Sequence, residues 1–192
     1  MKTILILLSA LIISACTTQP APDTLDKELR QSSVVSTSDP SFQPQPGASV
    51  AWRSALSVHA PDGVVVDQQI VDDLRAHIDT NFVNKGYRFS APGQQPTYWI
   101  QGVIVLGNQL NETQLRDVLG FEPGLVAHNQ QYEKGSLLLL LIDPQQQRTQ
   151  WRAVVQVFTT QDLPKEVRDQ RFEYIVRSLI RPLPTLSQPP TN

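Results

Sequence analysis

Cysteine is nearly absent. Cys16 is the single thiol of this 192-residue chain, so no intramolecular disulfide can form and packing alone must hold the fold. Histidine is sparse: His59, His77 and His128 stand far apart, none with a second ligand at metal-binding spacing. His77, beside Leu74 and Ile78, reads as a packing residue. No Gly-x-Ser-x-Gly elbow, phosphate-cradling glycine loop or dinucleotide fingerprint occurs. An excess of positive charge is missing too. Residues 1–15 carry one lysine and no acid, which leaves 15 basic against 18 acidic side chains beyond them, a net charge of −3. With no basic run, the sequence excludes nucleic acid as a partner. Asp72, Asp73 and Asp79 fall on the polar side of a helical pattern, and Glu112, Asp117 and Glu122 cluster in a long connection. Solvated acids are the default reading of both groups. The expectation is therefore no enzyme, no metal and no cofactor.

What is present begins at the amino terminus. Met1-Lys2-Thr3 supplies a positive start, Ile4 to Ile13 is apolar apart from Ser9 and Ala10, and Ser14-Ala15-Cys16 closes the stretch with small residues. A charged start, a short apolar core and a small-residue cut site make an export signal, too short to span a bilayer as a mature helix. Ile13-Ser14-Ala15-Cys16 also resembles the lipobox of bacterial lipoproteins, in which the cysteine is diacylated and becomes the new, acylated amino terminus. That resemblance makes Cys16 a lipidation site. Thr17 stands where enterobacterial lipoproteins retained in the inner membrane commonly have aspartate, so the expected address is an outer-membrane anchor facing the periplasm. Two or more acyl chains, at about 0.8 kcal/mol per buried methylene, suffice for stable attachment.

Composition divides the remainder. Pro20, Pro22, Pro40, Pro44 and Pro46 punctuate Ser, Thr and Gln between residues 17 and 47, with Phe42 the lone aromatic. Such a stretch buries too little apolar area to offset its ordering entropy. The organisation expected is a signal peptide over residues 1–15, a lipidated flexible tether over 16–47, a globular domain over 48–183 and a disordered tail over 184–192. One domain of that length buries about two thirds of its unfolded surface.

Within the domain, residues 49–58 carry Val50, Trp52, Leu56 and Val58 and read as a strand before the turn at Ala60-Pro61-Asp62-Gly63. Asp67 is placed to cap a helix whose face holds Ile70, Val71, Leu74, Ile78 and Phe82, and Gly86 is placed to end it. Residues 98–106 read as the next strand. The connection 108–134 holds a short helix capped by Asn111 and stopped by Gly120. Leu137 to Ile142 is a six-residue apolar run, the pattern of a strand covered on both faces, and Asp143-Pro144 turns it into a partner strand over 148–159. A second helix follows Pro164, with Val167, Phe172, Ile175, Val176, Leu179 and Ile180 inward and Pro182 as its stop. The order predicts the α+β class: a two-layer sandwich with a mixed sheet of about four strands and two amphipathic helices on one face. The first two strands are expected parallel and the later hairpin antiparallel.

Several short stretches carry a family likeness. They are Ser49-Val50-Ala51-Trp52, Asn84-Lys85-Gly86-Tyr87-Arg88, and Tyr132-Glu133-Lys134-Gly135-Ser136-Leu137 running on through Ile142-Asp143 to Gln150-Trp151-Arg152. In this arrangement the chain resembles the bacterial lipoprotein family with domain of unknown function 4136 (DUF4136). The resemblance covers most of residues 48–183. It implies this fold and an envelope lipoprotein, and it implies no reaction.

The functional expectation is a non-catalytic module of the cell envelope, tethered by its acyl anchor and contacting another envelope protein. The alternative is a periplasmic carrier that holds a lipid or other apolar ligand between sheet and helices. Both readings place the interest of this chain in binding.

Overall fold

A computed structural model describes residues 30–107, 133–160 and 163–187. Seven strands form one mixed sheet: β1 (Ser32–Ser38), β2 (Ser49–Trp52), β3 (Ser57–His59), β4 (Arg88–Phe89), β5 (Tyr98–Leu106), β6 (Glu133–Asp143) and β7 (Arg148–Thr159). Their spatial order is β1-β7-β6-β5-β2-β4, with β3 also on β5. Two helices, α1 (Gln68–Asn84) and α2 (Lys165–Ile180), cover one face.

The class is α+β with a mixed sheet and two helices, as expected, but the sheet has seven strands where about four were predicted. Three differences account for this. Residues 49–58 break into β2 and β3, both parallel to β5, because Leu56 drops into the core where Gly102 has no side chain to obstruct it. The two-residue β4 pairs parallel with β2 and is too short to leave a pattern. The third is β1, which lies inside the expected tether. Its register on β7 runs antiparallel from Ser32↔Val157 to Ser38↔Trp151, and Phe42 beyond it is buried against Tyr98 with ring centroids 5.6 Å apart. The folded domain therefore starts near residue 32 and not at 48. A backbone edge on β7, and not apolar content, recruits the Ser/Thr-rich strand.

The predicted hairpin forms as read. β6 and β7 pair antiparallel through a bulge at Leu141/Ile142, and Asp143 Oδ1 accepts from the backbone N–H groups of Gln145 (2.7 Å) and Gln146 (3.0 Å) to start the turn. Along β6 the side chains alternate. Leu137, Leu139 and Leu141 join the core under the helices, while Leu138 packs with Val154 on the opposite face.

Helix α1 starts where expected, with the Asp67 carboxylate accepting from the Gln69 N–H at 2.9 Å. Its end is a Schellman motif: Gly86 at φ 87° donates to the Val83 carbonyl (2.9 Å), and Tyr87 donates to that of Phe82 (3.1 Å). The Phe82 and Tyr87 rings meet edge to face at 5.7 Å, the apolar contact this cap calls for. Beyond the cap, Lys85 Nζ reaches across to the carbonyls of Arg181 (2.9 Å) and Leu183 (2.8 Å). Leu186 in turn donates its N–H to the Lys85 carbonyl at 2.7 Å. Leu183 and Leu186 are buried, so the domain runs past 183, and Leu186, expected in the tail, packs into the core.

The helices run in the same direction. Asp73 near the start of α1 lies 3.8 Å from Lys165 at the start of α2, His77 faces Phe172 midway with centroids 6.3 Å apart, and Lys85 meets Arg181 at the ends. Both amino-terminal ends thus lie over the same end of the sheet.

Leu139 is fully buried in the strand between β5 and β7. Leu139→Ala is expected to lower the unfolding free energy by about 2–5 kcal/mol in chemical denaturation, and a loss below about 1 kcal/mol would contradict a central place for this side chain. Asp39 at the end of β1 offers a second check. Its carboxylate accepts from the Ser41 hydroxyl (2.5 Å) and N–H (2.9 Å) and pairs with Arg148 at the start of β7, and these partners hold its pKa down, from 3.8 to about 2. A depressed folded pKa contributes stability above the ordinary value and loses it as pH falls through the folded one. Wild type should therefore exceed Asp39→Asn in stability at neutral pH, with the gap closing between pH 4 and about 2. A gap independent of pH in thermal melts would contradict this assignment.

Candidate functional site

Where both helices begin, the two layers part. The cleft has a volume of about 350 Å³. Its floor is the end of the sheet, with Ile104 and Leu106 from β5, Leu137 from β6, and Val155 and Val157 from β7. Ile70, Val71 and Leu74 of α1 make one wall and Phe172 and Ile175 of α2 the other. The segment Val64-Val65-Val66, which leads into the Asp67 cap, borders the mouth, and Val65 is almost fully exposed there. Gly135 keeps the floor low: a Cβ at that position would stand 2.9 Å from Thr159 Cγ2.

Charge enters this apolar space from one helix. Arg168 and Arg171 line the cleft with Asp67, whose carboxylate is engaged at the α1 cap, and the Asp169 carboxylate feels the Arg168 charge. Arg171 Nη2 donates to the Phe158 carbonyl at 2.6 Å, and burial lowers the guanidinium pKa from its ordinary value. The Nε of Arg168 is buried and has no hydrogen-bond partner. Lys165, one turn earlier, is taken up by Asp169 at 2.6 Å.

The sequence missed the two arginines. Arg168, Arg171, Phe172 and Ile175 follow the i, i+3, i+4, i+7 spacing of an inward helical face, so a pair of arginines inside an apolar stripe was the available signal.

The acids and histidines singled out earlier are not brought together. Asp72 and Asp73 accept from Gln68 (3.0 Å) and Gln69 (2.8 Å) along α1. Asp79 accepts from the Trp52 indole N–H at 2.7 Å, and the Arg75 guanidinium lies 4.9 Å from the centroid of the same indole. Burial raises the Asp79 pKa, with the Trp52 bond and the Arg75 charge opposing it. His59 lies in β3, and His77 packs on Phe172 as a core histidine would. Cys16, His128, Glu112, Asp117, Glu122 and the short helix from Asn111 to Gly120 lie outside the described residues. Among the described residues no group of three His, Cys, Asp or Glu side chains is placed to hold a metal ion, and no helix is long and apolar enough to cross a membrane.

No curated protein matches the chain. Among solved structures it is similar to the PelC dodecamer from Paraburkholderia phytofirmans, at 11% identity over 82% of this chain and 100% of that one, with a TM-score of 0.49. It is also similar to a DUF4136 family protein from Bacteroides thetaiotaomicron, at 13% identity over 80% of this chain and 95% of that one, with a TM-score of 0.48. A family model for a domain of unknown function, DUF4136, matches residues 34–185, from within β1 to just beyond α2. The chain belongs to the DUF4136 family.

Proposed function

We propose that this protein is a lipid-anchored bacterial envelope lipoprotein, held through Cys16 at the periplasmic face of the outer membrane, whose folded domain binds and does not catalyse. The observation that carries the proposal is the position of the only cysteine, at the end of an apolar leader and directly after Ile13-Ser14-Ala15. Residues 17–31 separate that cysteine from β1. The sequence between anchor and domain is therefore shorter than a tether extending to residue 47.

Of the two binding readings, the cleft supports the carrier of an apolar ligand. It is concave, walled by aliphatic and aromatic side chains, and holds few polar groups, the ordinary make-up of a small-molecule site. The reading as a docking module for another envelope protein draws on β1, whose outer edge pairs with no other strand among the described residues.

Cys16→Ala is expected to abolish incorporation of labelled fatty acid and to move the protein out of the washed membrane fraction. A variant that still sediments with membranes after a high-salt wash would contradict the anchor.

A further inference from the structure

We infer that the cleft between the helix amino-terminal ends and the sheet binds a single-chain amphiphile with an anionic head, a fatty acid carboxylate, its chain along the apolar floor and its head at Arg168 and Arg171. This rests on the apolar-ligand reading above and narrows it to one chemistry.

Size comes first. About 350 Å³ lies near the lower end of the roughly 300–1,000 Å³ range of ligand pockets, which suits one acyl chain better than two. Ile70, Leu106 and Val157 are only partly buried and present aliphatic surface to whatever fills the space. Removing that surface from water is the driving force for chain entry.

The head follows from charge. Among the described residues that line the cleft, the cationic side chains are Arg168 and Arg171. The Asp67 carboxylate does not compete for the arginines, because the Gln69 N–H holds it at the α1 cap. Arg168 carries a buried Nε without a hydrogen-bond partner, a donor whose desolvation is uncompensated until an acceptor arrives. A carboxylate presents two oxygens to the planar guanidinium fork and would satisfy it. Arg171 is held in position by its bond to the Phe158 carbonyl, so the second cation is preorganised. The positive ends of both helix dipoles lie at this end of the domain and add to the same field.

The test uses the full chain in membrane vesicles. It is exposed to a dodecanoic acid probe bearing a mid-chain diazirine and, separately, to the matching dodecanol probe, and cross-linked peptides are mapped by mass spectrometry. The expected adducts of the acid fall on peptides spanning residues 64–74 and 168–175, are competed by unlabelled dodecanoate, and exceed those of the alcohol. In Arg168→Gln, labelling by the acid should fall about tenfold, the scale of losing a charge-assisted hydrogen-bond pair, while labelling by the alcohol is unchanged. Persistence of the alcohol adduct in that variant shows that the cleft is still folded. Equal labelling of wild type by acid and alcohol would overturn the anionic head while leaving the apolar-ligand reading standing. Labelling by the acid that survives Arg168→Gln undiminished would overturn the assigned head site. Absence of cleft adducts with either probe would overturn both the inference and the reading beneath it.

Discussion

The Lys85 ammonium donates to the carbonyl oxygens of Arg181 and Leu183, and the Lys85 carbonyl accepts from the Leu186 N–H. One residue thereby ties the end of α1 to the end of α2 and to the segment that follows it. The tie is possible only because Gly86 takes a left-handed conformation and turns the chain away directly after the helix. A Cβ on Gly86 would stand 2.5 Å from the Leu186 carbonyl oxygen, so the same glycine that ends α1 lets the carboxy-terminal segment pack against it. Burial of the ammonium lowers its pKa from the ordinary lysine value. The tie therefore costs some desolvation.

From that constraint the placement of the cleft follows. Helices joined at their carboxy-terminal ends and running in one direction present their amino-terminal ends together over the opposite end of the sheet. Near the tie the core is closed by Phe82, Tyr87, Leu179, Ile180 and Leu183, all nearly or fully buried. At the other end Ile70, Leu106, Val157 and Phe172 are only partly buried, and the layers enclose space between them. A second feature separates the two ends electrostatically. The tied end spends its cation on backbone carbonyls, whereas the open end places Arg168 and Arg171 beside an apolar volume, with Arg171 anchored on the Phe158 carbonyl.

The elements legible in the sequence were those whose signals are local. Asp67, the apolar face from Ile70 to Phe82 and Gly86 specify α1 within one stretch, and Asp143-Pro144 with its flanking apolar runs specifies the β6–β7 hairpin. What escaped depends on partners distant in the chain. Strand β1 has two valines among serines and threonine and exists because β7 offers it an edge more than a hundred residues later. The break between β2 and β3 depends on Leu56 meeting Gly102, and the packed end of the chain depends on Leu186 finding the Lys85 carbonyl. The candidate site was half legible. Its apolar walls follow from helix and strand periodicity, but Arg168 and Arg171 look like surface residues until the orientation of α2 turns them inward.

The claim on which this account converges is that an acyl chain occupies the open end of the domain. Isotope-filtered NMR of the full chain in lipid nanodiscs, with carbon-13-labelled fatty acid, reads the position of that chain directly. The account predicts contacts from the acyl methylenes to the methyl groups of Ile70, Leu106 and Val157 beside the cleft. Contacts confined to the tied end, at Leu179 and Leu183, or no contacts with protein methyl groups at all, would contradict it.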